Sequence, residues 1–154
     1  MPMAFIIEKD PNLIPHVLTK ILDSTNNGIT LSDPDIADMP IIYANKAFET
    51  MTGYSQAETI GRNCRFLQSE DRNQESRFRL REAIDNKKSI ETNIRNYKKN
   101  GEMFYNHLVL TPLFDEQEQL IYYLGIQYDI TSEVEADNEL DRLRKKISKL
   151  TSIK

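Results

Sequence analysis

The chain has 154 residues, 29% charged and 39% hydrophobic, with a net charge of −4 and an isoelectric point near 5.3. This is room for one domain with a true core plus extensions, and the acidic balance excludes a general nucleic-acid footprint. The single cysteine, Cys64, excludes an internal disulfide or a multi-thiolate metal site, and His16 and His107 lack metal-ligand spacing, so the chain reads as intracellular and metal-free.

The apolar MAFII start is ended by Glu8, Lys9, Asp10 and Pro11, short of a signal-peptide core, and no stretch is long enough to span a bilayer. The expected location is cytoplasmic, with no membrane and no nucleic acid as partner. From about Pro11 to Ser24, Leu13, Ile14, Val17, Leu18, Ile21 and Leu22 recur at three- and four-residue steps, one face of an amphipathic helix. GITLSDPD and MPIIYAN then read as two paired strands. NKAFETMTG is a short helix closed by Gly53, and Ser55 stands three residues before Glu58, a reciprocal capping box that starts another. Residues 72–86 predict a longer, arginine-rich helix with Phe78, Ala83 and Ile84 among its apolar members.

Three strands follow: IETNIRNY, then EMFYNHLVLTPLFD, then LIYYLGIQYDIT, with Asn100-Gly101 as hairpin signal and a looser turn over 115–119. Strands, helices, then strands make an α+β domain with a five-stranded antiparallel sheet. Beyond Thr131, Ala136, Leu140, Leu143, Ile147 and Leu150 step by four, three, four and three, a helix with a narrow coiled-coil seam. The expected organisation is a helical extension over 1–23, a central domain over 24–131 and a second extension over 132–154.

Alternation puts Ile94 with Asn96, Phe104, Asn106, Leu108 and Leu110 together, and Tyr123 with Gly125 and Gln127. The carboxamides either face solvent and satisfy one another, or form the polar edge of a pocket for a planar heterocycle such as a flavin, which they can match without burying a charge. Arg77 and Arg81 lie four apart on one helix face, with Arg65 and Arg72 in reach of the same region. They are either a solvated face neutralised by Glu75, Glu82 and Asp85 or a phosphate site.

Cys64 sits in GRNCRFLQ, between Asn63 and Arg65, which is no setting for an inert buried thiol. That octapeptide, with IIYANKAFETMTGYS, IRNYKKNGEMFYNHLVLTP and YLGIQYDIT, resembles the LOV (light, oxygen, voltage) domains, the flavin-binding branch of the PAS fold, from about Ser24 to Thr131. The resemblance implies the PAS/LOV fold, with short helices over a flavin pocket, and the arrangement of a bacterial short LOV blue-light photoreceptor, with no room for a kinase or DNA-binding effector and no enzymatic activity.

In this family Cys64 would bond reversibly to a carbon of light-excited FMN while the neighbouring ring nitrogen gains a proton, and Gln127 would reorient its amide in response. Asn63 and Gln68 would lie against the ring and ribityl chain, Asn96 and Asn106 at the pyrimidine edge, and Thr30, Leu108 and Leu110 along the pocket. Arg65 and Arg81 match the usual phosphate contacts, and Arg72 and Arg77 the additional arginines of some short LOV proteins; this cluster favours FMN over riboflavin or FAD. Three positions depart from the family pattern: Tyr105 stands for tryptophan, Thr30 for an apolar β-branched residue, and Ser69 for glycine.

The expected output is a homodimer formed through the terminal helices and the outer sheet face, with an unknown downstream protein partner. The competing reading is a flavin-dependent redox sensor or enzyme in which Cys64 is incidental; a PAS interaction module without cofactor is a third.

Overall fold

Leu13–Ser24 form the first helix, α1, whose Val17, Leu18 and Ile21 stay exposed in the single chain. The computed structural model describes residues 13–152, with side chains from His16 onward, so the Pro11 start expected for this helix lies outside the described residues. Strands β1 (Gly28–Ser32) and β2 (Ile41–Ala44) pair antiparallel, as expected for the two segments GITLSDPD and MPIIYAN. Two short helices follow, α2 (Lys46–Thr52) and α3 (Gln56–Thr59). Helix α2 ends on Gly53 at φ +78, a left-handed closure that glycine makes without strain. Helix α3 begins with both halves of the Ser55–Glu58 capping box formed.

Cys64–Gln68 make one 3₁₀ turn, and Glu75–Asp85 the helix α4. The sequence predicts that helix from residue 72, but it starts later because the Gln74 side chain is engaged elsewhere: its amide bonds both Arg95 N (2.9 Å) and Arg95 O (3.0 Å). The buried residue of α4 is Leu80, while Phe78, one of its apolar members, lies 56% exposed. The cause is helical phase: the face carrying Leu80 and Ile84 is the one that meets the sheet.

Strands β3 (Ile90–Tyr97), β4 (Met103–Phe114) and β5 (Leu120–Asp129) complete a five-stranded antiparallel sheet in the order β2-β1-β5-β4-β3. Asn100-Gly101 lie at the β3–β4 turn, where Gly101 takes φ +88 and donates to Lys98 O. Register aligns Ile94 with Asn106, Leu108 with Gln127, and Thr30 with Gly125, so these side chains share the inner face. Residues Thr131–Ser152 form α5, tied on by Asp129, which accepts from Thr131 N at 3.0 Å. None of its residues is buried, and Leu140, Leu143, Ile147 and Leu150 are 42–63% exposed.

The core is divided. Ile41, Ala44, Phe48 and Leu67 form one buried cluster; Leu80, Ile94, Leu110 and Tyr123 form another. A cavity lies between them, lined by Phe48 and Leu67 from one side and Leu80, Ile94 and Leu110 from the other.

Candidate functional site

The loop that carries Cys64 is anchored at both ends. Gly61 at φ +91 donates to Ile41 O, and Ile41 N donates to Arg62 O, so the chain before the thiol is strapped to the start of β2. Asn63 then caps the 3₁₀ turn: its Oδ1 accepts from Arg65 N at 3.0 Å, and its Nδ2 donates to Asp38 O at 2.7 Å. Asp38 and Met39 both have positive φ, a conformation costly for a residue as bulky as methionine, and Asn63 helps hold that turn in place. The Arg62 guanidinium lies over the Phe66 ring at 4.0 Å, and Phe66 meets Tyr54 edge-on at 5.0 Å.

Cys64 is thereby fixed with its half-buried thiol on the cavity wall. Burial pushes the thiol above its ordinary value, with the Arg65 charge pulling the other way to a smaller extent. At neutral pH Cys64 therefore holds its proton, and it can deliver that proton in a reaction.

The inner end of the cavity collects the carboxamides. Asn96, Asn106, Gln127 and Gln68 are all buried, at 4, 2, 4 and 7% exposure, which excludes the solvent-facing alternative. They satisfy one another only in part. Asn106 Nδ2 donates to Asn96 Oδ1 (2.9 Å), Asn96 Nδ2 to Arg95 O (3.0 Å), and Gln127 Nε2 to Thr30 Oγ1 (3.3 Å). Gln68 Oε1, Asn106 Oδ1 and Gln127 Oε1 are left buried without a hydrogen-bond partner. Each such acceptor costs roughly 1–3 kcal/mol, so three on one apolar cavity, between Leu108, Leu110 and Cys64, call for a flat ligand with donor groups.

The outer end opens into a cleft of about 600 Å3 that Asn63, Cys64, Arg65, Arg77 and Arg81 line together. Arg65 is held there by Asp38, with Nη1 2.7 Å from Oδ1 and Nη2 on Oδ2, a bidentate pair in which Asp38 occupies the place of an anion. Arg72 lies outside the cavity lining; its Nε donates to Ser69 O at 3.1 Å. Lys87, at φ +53 beyond the end of α4, adds a cation to the cleft that sequence reasoning missed; no spacing rule marks it.

A PAS domain family model matches residues 26–132. The chain is 46% identical to the solved LOV domain of the Erythrobacter litoralis EL346 blue-light activated histidine kinase, covering 68% of this chain and 95% of that one with a TM-score of 0.64. The chain belongs to the LOV branch of the PAS domains. It is 38% identical over 136 residues to a blue-light photoreceptor of Listeria monocytogenes serovar 1/2a, covering 88% of this chain but 53% of that protein. It thus spans about half the length of that relative. An RNA-binding light-oxygen-voltage receptor superposes with a TM-score of 0.80 at 39% identity, over 88% of this chain and 38% of that one.

Membership implies a flavin chromophore, and the chemistry of the residues lining the LOV cavity suits one: apolar walls, orphaned acceptors at the inner end, and cations at the mouth. The LOV domain's Ser69, where glycine is the family's usual residue, has φ +51 and ψ −130, a conformation suited to glycine. Ser69→Gly is expected to stabilise the domain by about 1 kcal/mol, read as a raised urea midpoint at unchanged slope.

One support escaped the sequence reading. Asp71 takes Arg95 bidentately, at 2.7 and 2.9 Å, and accepts from Tyr97 OH at 2.7 Å, clamping the loop after the 3₁₀ turn to edge strand β3. The Arg95 and Tyr97 bonds hold the Asp71 carboxyl down to about 2, below the ordinary 3.8. A depressed carboxyl stabilises the fold above its unfolded value and loses that contribution as pH falls through the folded one. Asp71→Asn is therefore expected to lower stability at neutral pH and to flatten the acid limb between about 4 and 2, measured by chemical denaturation at stepped pH.

Proposed function

We infer that this LOV domain works as a blue-light photoreceptor with FMN as chromophore and Cys64 as the reacting group. The observation that carries the reading is a single thiol on the wall of the same cavity that three orphaned carboxamide acceptors line. The flavin supplies blue absorption and a ring C=N bond that excitation opens to addition. Cys64 would be the residue that gives its sulfur to that carbon and its proton to the adjacent nitrogen, so that no atom would be lost and thermal reversal would restore both partners. Gln127, whose amide has one donating and one accepting end, would then face a donor in place of an acceptor, and its reorientation would pass strain into β5 and its neighbours.

Asn96 and Asn106 would hold the pyrimidine edge, with Gln68, Thr30, Leu108 and Leu110 around the ring and Asn63 beside the ribityl chain. Arg65, Arg77 and Arg81 at the mouth favour a terminal phosphate, hence FMN over riboflavin or FAD, and Arg72 would reach it only after leaving Ser69. Among the described residues His107 offers the enzyme alternative no partner for the thiol, being engaged by Asn93 and Glu91 on the outer face. Among the described residues no helix is long and apolar enough to cross a membrane, and a cytoplasmic location belongs to this reading.

Output through a homodimer is supported by the exposed apolar stripes Val17, Leu18, Ile21 on α1 and Leu140, Leu143, Ile147, Leu150 on α5, the terminal extensions flanking the central domain. The half-buried outer face of Ile29, Ile126 and Val109 extends them. The likeness to an RNA-binding receptor covers only 38% of that chain, and at a net charge of −4 the reading stays with a protein partner.

The test is the absorption of freshly purified protein around a blue pulse, with chromatography of the released flavin and light scattering in dark and light. Bleaching with thermal recovery, FMN as the released species, and a dimer mass are expected. A yellow protein that does not bleach returns redox sensing to first place, and a monomer in both states removes the dimer route.

A further inference from the structure

We propose that Thr30 is a positioning residue for the Gln127 amide: its hydroxyl serves as a two-way rest that satisfies whichever end of the amide is turned from the cavity. The proposal deepens the photoreceptor reading and rests on it.

Gln127 occupies a notch cut by two glycines. Gly28 is its register partner across the β1–β5 ladder, and Gly125 is two residues back on the same face. Neither is among the positive-φ glycines, so turn geometry does not explain them. Space does. A Cβ built on Gly125 would lie 2.6 Å from Thr30 Oγ1 and 2.7 Å from Gln127 Nε2, overlapping both. One built on Gly28 would stand 3.4 Å from Gln127 Cβ, already in contact. The missing side chain at Gly125 is what lets the threonine hydroxyl and the glutamine amide meet, at a mid-strand position where glycine otherwise weakens a sheet.

The amphoteric hydroxyl gives that meeting its use. In the structure Gln127 Nε2 donates to Thr30 Oγ1, and Gln127 Oε1 is left facing the cavity side without a partner. A carbonyl so placed suits a ligand N–H. After a half-turn of the amide the NH2 suits a ligand nitrogen that accepts, and Thr30 then donates its own proton to Oε1. A hydroxyl accepts in the first arrangement and donates in the second, which valine or isoleucine cannot do. Both orientations of a buried amide thus keep their rear end satisfied, and the ligand's donor or acceptor character alone selects between them. The departure of Thr30 from an apolar β-branched residue is therefore a property of the switch, with Gly125 as its spatial condition.

The experiment compares wild type, Thr30→Val and Thr30→Ser as purified with FMN, using protein labelled with 13C at the glutamine side-chain carbonyl and 15N at its amide. Gln127→Leu identifies the signals. Two readouts are taken: the Gln127 NH2 resonances in darkness, and the Gln127 carbonyl band in the light-minus-dark infrared difference. In Thr30→Val both orientations lose their rear hydrogen bond, so the fraction of the amide held in either one, against turned-away rotamers, should fall about five-fold, the factor carried by one neutral hydrogen bond. The dark NH2 resonances then shift and the infrared difference band shrinks, while bleaching through Cys64 persists. Thr30→Ser should follow wild type.

Val-substituted protein with wild-type resonances and band would overturn the proposal, and so would a serine variant that behaves like valine, since the methyl and not the hydroxyl would then matter. Failure of the wild type to bleach would sink the photoreceptor reading instead, and the dark resonances would still decide the role of Thr30.

Discussion

Cys64→Ala leaves the protein yellow and abolishes bleaching altogether, the largest functional effect expected from any single change in this chain. Cys64 is the one thiol of 154 residues, so no second sulfur can replace it. The loop that holds it is secured by Asn63 and by the exchange between Ile41 and residues 61 and 62, none of which uses the thiol. The fold should therefore lose only about 1 kcal/mol from a half-buried sulfur contact, and flavin content should stay at the wild-type ratio. Because burial raises the thiol above its ordinary value of 9.0, the wild-type yield of bleaching should be flat through neutral pH and fall only on the alkaline side. Absorption after a blue pulse across a pH series checks both points. A variant that still bleaches and recovers would move the reaction off Cys64.

Asn45→Ala carries the largest expected loss of stability. The side chain is fully buried at 0% exposure and ties four backbone groups together. Its Oδ1 accepts from Ile29 N (2.8 Å) and Phe48 N (3.1 Å), while Nδ2 donates to Leu22 O (2.7 Å) and Asn27 O (3.0 Å). Truncation strands these groups beneath α1, β1 and the start of α2. At roughly 1 kcal/mol or more per stranded buried group, the cost is about 3–5 kcal/mol, enough to unfold a marginal domain at growth temperature. The same residue joins the end of α1 to strand β1, which carries Thr30, so hydrogen exchange of α1 should accelerate in any Asn45 variant that stays folded. Denaturant unfolding with exchange measurements would show it, and an unchanged midpoint would contradict the assignment of Asn45 as a hub.

Local chemistry made most of the fold legible in advance. Ser55 and Glu58 sit at capping-box spacing and form one; Gly53 closes α2; alternation alone put Asn96, Asn106 and Gln127 on strand faces that register then aligned inward. The octapeptide around Cys64 pointed to the site through its resemblance to the LOV signature; its residue types alone indicated only a polar neighbourhood for the thiol. What escaped were partnerships across long sequence separations. Asp38 holds Arg65 from 27 residues away, and Asp71 and Gln74 hold Arg95 from 24 and 21 away. No local pattern records them. Which apolar residue of α4 is buried was likewise not legible: helical phase against the sheet buries Leu80 and leaves Phe78 exposed. The three orphaned acceptors were equally out of reach, since which carboxamides satisfy one another depends on a register known only from the fold.

The most direct test of the account is the S–H stretch in light-minus-dark infrared spectra. Cys64 provides the only S–H oscillator in the protein, so the band needs no assignment by mutation. The account predicts that the band is present in darkness, disappears on blue illumination, and returns with the time constant of the recovering flavin absorption. An S–H band that stays unchanged while the flavin bleaches would contradict bond formation at Cys64 and leave the photochemistry to the flavin alone.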